Sequence, residues 1–178
     1  MAYSKGAIAI ANVTGDIVIT VTTVLTQLGF TNVLPLATDT DGTVYDSAGY
    51  KQATRINSSG NAVSITEAYY SSSLCTTGFI PCTVGDKLRL AGMRIDPADA
   101  QAGSYNIAVY DSSKTKLAHS SWTNLSSCAT VETDANGYVT SIALTEGKML
   151  GAAGTAFIRI SAFDMDSMSA ISVNEEMV

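Results

Sequence analysis

The single histidine is the side chain best suited to exchange protons near neutral pH. His119 stands in the polar run Leu117-Ala118-His119-Ser120-Ser121. A hydrolytic triad would place this imidazole between a nucleophile and an acid. Serines and aspartates are plentiful, but the chain has no Gly-x-Ser-x-Gly nucleophile elbow. We therefore interpret His119 as a solvated surface residue and predict that the protein is not an enzyme.

Two pairs of aspartates offer a second kind of chemistry. Asp39 and Asp41 are two residues apart, and so are Asp164 and Asp166. Residues at this spacing share one face of an extended chain, and two carboxylates are what glycoside hydrolysis requires. Neighbouring acids in polar loops are common in acidic proteins, however, so the pairs do not by themselves indicate a glycosidase.

Calcium binding explains the first acidic pair better than glycoside hydrolysis does. Asp39-Thr40-Asp41-Gly42 begins like an acidic calcium loop, but the twelfth position, where an EF-hand carries Glu, is Tyr50. A turn stabilised by Asx hydrogen bonds explains the same residues equally well. Asp39 and Asp41 are therefore candidate calcium ligands, and we predict no other cofactor.

The three cysteines do not form a metal motif. Cys75, Cys82 and Cys128 are odd in number and have no zinc-like spacing. Cys75 and Cys82 could pair across the six residues between them, but plain, unpaired thiols are the favoured interpretation. The sequence also lacks a phosphate-binding loop and a dinucleotide fingerprint.

Aromatic residues in polar surroundings are candidates for sugar contact. The only tryptophan, Trp122, lies among serine, threonine and asparagine, and Tyr69-Tyr70 is followed by three serines. Adjacent residues of a strand point to opposite faces, so one of the two tyrosines should face outward. Trp122 and Tyr70 are therefore the candidate glycan-contacting residues, although packing in the core is the favoured interpretation for each.

Composition limits the classes of partner. Charged residues are 15% of the 178-residue chain, against about a quarter in average proteins, and the net charge is −6. The ten basic residues form no run, which argues against binding nucleic acid or an anionic membrane surface. The N-terminus does not resemble a signal peptide, and no apolar stretch is long enough to span a bilayer.

Alternation of side chains predicts strands from the start of the chain. Residues 7–22 read as a β-hairpin, with a β-branched run at 17–22 and Asn and Gly in the turn. A hairpin alone is marginally stable in water, so it must pack on the rest of the chain or on another subunit. We divide the chain into a hairpin and connector, 1–30, and a main domain, 31–178.

The main domain is predicted to be all-β. Strands are expected at 50–57, 61–66, 67–72, 75–80, 87–90, 105–109, 127–133, 138–144, 157–161 and 171–173. The sequence Asp134-Ala135-Asn136-Gly137 is the clearest hairpin turn, and short helical turns are expected only at 96–99 and 145–150. Roughly ten short antiparallel strands with turn residues between them are typical of a β-sandwich or jelly roll.

Two stretches resemble known modules. Residues 6–22 resemble the final hairpin of small immunoglobulin-like modules in surface and phage proteins of gut Firmicutes. A longer set of segments resembles the C-terminal β-sandwich of tail, baseplate or fibre proteins from the phages and prophages of these bacteria. Its motifs are Asn32-Val33-Leu34-Pro35, the 38–42 loop, Gly49-Tyr50-Lys51, Thr54-Arg55-Ile56-Asn57, the 77–81 and 84–86 segments, the 105–111 strand and the 171–175 end.

The resemblance implies a virion appendage that touches host glycans, and it assigns no catalytic or ligand-binding residue. The lone N-terminal hairpin predicts a homo-oligomer, most simply a trimer, because an exposed hairpin edge invites pairing with a sister chain. As a virion appendage the chain would also contact other virion proteins. A carbohydrate-binding module of a larger bacterial surface protein or enzyme is the alternative.

Overall fold

The computed structural model describes residues 50–65, 74–91, 107–121, 124–163 and 170–174. The predicted N-terminal hairpin, the boundary near residue 30, the strand at 67–72 and the helical turn at 96–99 lie outside these ranges. Within them no helix is long and apolar enough to cross a membrane.

Short strands dominate the described residues. They are β1 (Tyr50–Gln52), β2 (Thr54–Ile56), β3 (Ala62–Ser64), β4 (Leu74–Thr77), β5 (Ile80–Pro81), β6 (Lys87–Ala91), β7 (Ile107–Tyr110), β8 (Lys116–Ser120), β9 (Thr130–Thr133), β10 (Val139–Ala143), β11 (Phe157–Phe163) and β12 (Ala170–Val173). One helical turn, α1 (Leu125–Cys128), and one 3₁₀ turn (Met149–Gly151) accompany them.

Two antiparallel sheets enclose the main core. One has the order β1-β4-β11-β7-β8, with β5 also paired to β11, and the other has the order β12-β6-β10-β9. Ile107 and Ile160 of the first sheet and Leu88 and Ile142 of the second are fully buried in one cluster. Side chains from facing sheets that share a core make a β-sandwich, so the all-β sandwich prediction is confirmed.

Strand β6 shows how sequence alternation becomes burial. Leu88 and Leu90 are buried, whereas Lys87 and Arg89 are partly exposed. Gly85 before the strand has a φ of 98°, a conformation that glycine adopts without strain. The predicted turn at 84–86 and the inward direction of both leucines are confirmed.

A second, smaller core lies on the outer face of the larger sheet. The β2–β3 hairpin covers this face, so all four residues of β7 are buried, with Ile56, Ala108 and Tyr110 forming one cluster. The Tyr110 hydroxyl donates to the Gly60 carbonyl. A Cβ at Gly60 would lie 3.0 Å from the Tyr110 ring, so this contact requires glycine.

Strand β11 meets its neighbour through a β-bulge. Ser161 pairs with Thr76, but Ile158 pairs with Ile80, so the three residues 77–79 oppose only two. An extra residue of this kind interrupts the hydrogen-bond ladder. The strand predicted at 75–80 is therefore divided into β4 and β5, and Pro81 ends it as expected.

Two side chains replace the ladder bonds lost at the bulge. The Ile160 amide donates to Thr77 Oγ1 at 3.0 Å, and Arg159 Nε donates to the Thr77 carbonyl at 3.2 Å. The Arg159 guanidinium, which is fully buried, also lies 4.2 Å from the centre of the Phe79 ring. Backbone groups that would otherwise be buried without partners are thereby satisfied.

Two other predicted strands have different bounds. The 50–57 segment is broken at Ala53, whose φ of 53° is incompatible with a continuous strand. The 127–133 strand was placed too early, because Leu125–Cys128 forms a helical turn whose Leu125 and Cys128 are buried. Local alternation did not reveal this tertiary packing.

The predicted Asn-Gly hairpin is confirmed between β9 and β10. Asp134 Oδ1 accepts the amides of Asn136 at 2.8 Å and Tyr138 at 3.0 Å, and Gly137 has a φ of 86°. The loop is longer than a two-residue turn because the Asp134 side chain organises it as an Asx turn. The helical turn expected at 145–150 occurs as the 3₁₀ turn.

Asp86 ties the last strand to the turn before β6. Its carboxylate accepts Asn174 Nδ2 at 2.6 Å on one oxygen, and the amide and hydroxyl of Thr83 on the other. Burial acts to raise the pKa of Asp86, but the hydrogen bonds from Asn174 and Thr83 outweigh it and hold the pKa below its ordinary value. The ionised form is thus favoured by folding.

Replacing Thr77 by Val should destabilise the fold. The change keeps the side-chain shape but leaves the buried Ile160 amide without its acceptor, which costs about 1–3 kcal/mol. Urea unfolding followed by circular dichroism measures this cost. Thr133→Val, at an exposed position of β9, is the control and should stay within about 0.5 kcal/mol of the wild type. Equal stability of Thr77→Val and the control would contradict the proposed repair of the ladder.

The Asp86 contacts predict a pH-dependent contribution to stability. Since the folded pKa is lowered, the stabilisation is present above the unfolded pKa and is lost as pH falls through the folded pKa. Asp86→Asn should lower Tm by about 2–4 °C at pH 7, and the difference should shrink at pH values below the ordinary aspartate range. Glu146→Gln, at an exposed turn position, serves as the matched control. A Tm difference for Asp86→Asn that does not change with pH would be inconsistent with this role.

Candidate functional site

An open pocket of about 280 Å³ lies beside the edge strand β8. It is formed by the end of β8, the segment that enters α1, α1 itself and the 3₁₀ turn, which contacts both β8 and α1. We call it the edge pocket. Its lining residues are His119, Ser120, Ser121, Asn124, Ser127, Cys128 and Met149.

A bulge in β8 sets the direction of the side chains near the pocket. Val109 pairs with Ala118 but Tyr110 pairs with Lys116, so Leu117 is the extra residue. Leu117 is 39% exposed. Bulges re-aim side chains and discourage further pairing at a sheet edge, and beyond this one His119 lies opposite Ala108.

Helical turn α1 is anchored by apolar contacts and by a lysine. Leu125 and Cys128 are buried, while Ser127 remains exposed. The Lys148 ammonium donates to the carbonyls of Ser126 at 3.1 Å and Ala129 at 3.0 Å. Carbonyls at a helix end lack intrahelical partners, so Lys148 fixes the end of the turn that forms one wall of the pocket.

Burial and a neighbouring cation together determine the protonation state of His119. Burial first, and the positive charge of Lys116 second, lower the pKa of His119, so the ring is neutral at pH 7. Lys116 Nζ lies 3.0 Å from His119 Nδ1. An ammonium can only donate, so Nδ1 accepts and the ring proton is on Nε2. The ring is half-buried, which is more enclosed than the solvated side chain expected from sequence.

Where α1 meets the 3₁₀ turn, the pocket has sulfur and apolar surface. Cys128 Sγ lies 3.9 Å from Met149 Sδ, and Met149 is 56% exposed. The pocket therefore pairs hydroxyl, amide and imidazole groups with one apolar patch. Such mixed surfaces suit ligands that carry both polar groups and C–H faces.

All three cysteines are buried, and none of them is in a disulfide bond. Cys75 and Cys82, which the sequence left open as a possible pair, are therefore two separate thiols. Burial, reinforced by the negative charge of Asp86, raises the pKa of Cys82 to about 12, and a thiol that stays protonated is a poor nucleophile.

A larger pocket of about 470 Å³ is built mainly from turns. Its lining comprises Thr83, Val84, Glu146, Gly151, Ala153, Gly154 and Thr155. A Cβ at Gly151 would lie 1.9 Å from the Thr145 carbonyl oxygen, so the turn requires glycine there. Among the described residues that line this pocket, Glu146 is the one ionisable side chain and most of the others belong to turns, so the pocket offers a ligand fewer side-chain contacts than the edge pocket.

Glu132 forms a charge cluster on the outer face of the smaller sheet. Its carboxylate accepts hydrogen bonds from Lys87, from Arg89 at 2.8 Å and from the Ser141 hydroxyl at 2.9 Å. The hydrogen bond from Lys87, followed by that from Ser141, lowers the pKa of Glu132. Both cations are paired with the one carboxylate, and we interpret this cluster as a surface feature of the sheet.

The sequence-predicted ligand residues lie outside the described part of the structure. Trp122, Tyr70, Asp39 and Asp41 all lie outside the described residues, as do Asp164 and Asp166. In sequence, Trp122 falls between Ser121 and Asn124, both of which line the edge pocket. In the described ranges no three His, Cys, Asp or Glu residues are grouped to hold a metal ion.

Sequence analysis missed Asn124, Ser127 and Met149 as site residues. Asn124 and Ser127 belong to a polar run that includes Trp122, which is the one signal that pointed toward this region. Met149 is 21 residues beyond Cys128 and meets it only through folding.

Comparison with known proteins identifies no relative for this chain. No protein-family model, curated protein or solved structure matches it significantly.

The neutral state of His119 is directly measurable. Because it is the only histidine, its ring protons give unique NMR signals, and we expect them to titrate below the ordinary histidine range. Lys116→Met should raise this pKa by removing the nearby charge, although burial should keep it below the ordinary value. Lys51→Met, on the opposite edge strand β1, is the control. An ordinary pKa in the wild type would refute the described geometry.

Proposed function

We propose that this chain is a binding and assembly module of a phage virion appendage, such as a tail, baseplate or fibre protein, and that it contacts a glycan on the host surface. The observation that carries the binding part is the edge pocket. Its neutral hydrogen-bonding groups and exposed Met149 are grouped in one open cavity.

The chemistry of a sugar fits these groups. Sugar hydroxyls both donate and accept hydrogen bonds, and the side-chain amide of Asn124 can do the same. The Ser127 hydroxyl donates to the Asn124 carbonyl at 2.7 Å, and its oxygen can still accept a hydrogen bond. The exposed face of Met149 can pack against the C–H side of a sugar ring. Trp122, which the sequence places between two pocket residues, would supply an aromatic platform.

The appendage part is supported by composition and by the sequence resemblance. Low charge with many serines, threonines and glycines gives a polar, uncharged surface. The resembling segments include Thr54-Arg55-Ile56-Asn57, which contains β2, and Ile171-Ser172-Val173, which forms most of β12. A rigid sandwich that carries binding groups in the loops at its edges allows those loops to vary without disturbing the core.

A glycan array tests the binding part. We expect the wild type to bind at least one bacterial surface glycan, and Asn124→Ala to bind it about 3- to 10-fold more weakly, as expected for the loss of one hydrogen bond. Trp122→Ala and Tyr70→Ala test the two aromatic residues predicted from sequence. Asn136→Ala, in the exposed β9–β10 turn, is the matched control.

Two results of the array would count against the proposal. Absence of binding to every glycan would remove the glycan role, and equal binding by Asn124→Ala and Asn136→Ala would move the site away from the edge pocket. Unchanged glycan binding by Trp122→Ala and Tyr70→Ala would show that these two residues do not contact the glycan.

Light scattering tests the assembly part. We expect a homo-oligomer, most simply a trimer, and deletion of residues 1–30 should reduce it to a monomer. A monomeric full-length chain would contradict the assembly role and would favour a carbohydrate-binding module of a larger bacterial protein.

A further inference from the structure

The larger pocket is lined mainly by three tight turns of the same kind, at residues 83–86, 145–148 and 152–155. In each turn the amide of the fourth residue donates to the carbonyl of the first at 3.1 to 3.2 Å, and the third residue is a glycine with positive φ. The volume of about 470 Å³ falls in the range of about 300–1,000 Å³ that is typical of small-ligand sites. Closed turns thus surround an opening of the size that a small ligand needs.

The polar side chains of this lining can accept hydrogen bonds but not donate them. Among the described lining residues they are Thr83, Glu146 and Thr155. The Thr83 hydroxyl donates to Asp86 at 3.1 Å, and the Thr155 hydroxyl donates to the Ala152 carbonyl at 2.7 Å. A hydroxyl has one proton to donate and two lone pairs, so both oxygens still accept, and an ionised carboxylate only accepts. These side chains therefore suit a ligand group that donates.

The acidic side chains at this pocket make its charge negative. Glu146 is exposed, and its carboxylate forms no ion pair or hydrogen bond with the described residues. The Asp86 carboxylate contacts the Thr83 side of the pocket, and its described partners, Thr83 and Asn174, are uncharged. Neither negative charge is neutralised by a neighbour in the described part of the chain.

The two described lysines nearest in sequence to this lining are engaged elsewhere. Lys148 donates to two carbonyls beside α1, and Lys87 pairs with Glu132 on the smaller sheet. Neither lysine is among the residues that line the pocket, and no described lining residue carries a positive charge. A cationic ligand group is therefore favoured here over an anionic one.

An ammonium group fits this lining better than a calcium ion does. Calcium takes about six to eight oxygen ligands, several of them from carboxylates, whereas the described lining has one carboxylate. A primary ammonium carries a single charge and three N–H donors, which suits one carboxylate and two hydroxyl oxygens. Val84 and Ala153 add apolar surface to the same lining, against which the C–H groups of a ligand can pack.

We infer that the larger pocket receives the free amino group of an amino sugar, with Glu146 pairing its charge and the Thr83 and Thr155 hydroxyl oxygens accepting its N–H groups. This inference rests on the proposed glycan-binding function and names a class of sugar that the glycan contains. The larger pocket and the edge pocket share the 3₁₀ turn, since Gly151 lines one and Met149 lines the other. The two pockets therefore belong to one region of the surface.

A matched pair of oligosaccharides isolates the contribution of the amino group. Glucosamine oligomers and N-acetylglucosamine oligomers of equal length have the same sugar ring, but the nitrogen is a charged amine in the first and a neutral amide in the second. We expect calorimetry to show about 3- to 10-fold tighter binding of the glucosamine oligomer, as expected for charge-assisted contacts at an open site. In NMR titrations the amide signals of Gly147 and Gly154 should shift, which would place the ligand at this pocket.

Two variants connect the preference to the pocket. Glu146→Gln keeps the size of the side chain and removes its charge, so it should remove most of the preference without lowering Tm. Ala153→Lys adds a competing cation at an exposed position of the lining and should have the same effect. Their controls change the net charge equally at exposed positions outside the lining. Glu132→Gln on β9 and Asn136→Lys in the β9–β10 turn should keep the preference.

The outcomes distinguish this inference from the function on which it rests. Equal affinity for the two oligomers, or a preference that Glu132→Gln reduces as much as Glu146→Gln does, would overturn the amino-sugar site. Binding of neither oligomer by a protein that binds other glycans on the array would also overturn it, while the glycan-binding function would stand. Absence of binding to both oligomers and to every glycan of the array would overturn both.

Discussion

The sandwich depends on β11 being buried on both faces in the larger sheet. Ile158 and Ile160 face the core that the two sheets share, while Arg159 and Ser161 face the layer made by the β2–β3 hairpin. On one edge the strand pairs with β7, and on the other it pairs with β4 and β5. A strand surrounded in this way must satisfy every polar group from within the protein, since water cannot reach it.

Arg159 and Thr77 meet that requirement where the pairing is interrupted. The bulge leaves one amide and one carbonyl of buried backbone without ladder partners. The Thr77 hydroxyl accepts the amide, and Arg159 donates to the carbonyl while its guanidinium packs on Phe79. The buried arginine is therefore explained by backbone hydrogen bonding and aromatic packing, and it does not need to be a binding residue.

The edge pocket follows from the same architecture at its border. Among the described strands β8 is the last one of the larger sheet, and its bulge at Leu117 shifts the register of its pairing with β7. The chain then turns through α1, which Lys148 fixes, and the 3₁₀ turn closes the other side. Polar groups of an edge strand and a short helical turn are thus brought together beside a rigid core, the arrangement in which loops commonly carry binding sites.

The sequence by itself determined the fold class and much of the local structure. Alternation in Lys87-Leu88-Arg89-Leu90 predicts both the strand and its inward face, and Asp134 to Gly137 predicts the hairpin, because side-chain period and turn chemistry are local properties. Only the tertiary structure decided the features that depend on distant residues. The bulge opposite Arg159, the helical turn at 125–128, and the meeting of His119, Asn124 and Met149 in one pocket arise from contacts between strands that no local pattern encodes.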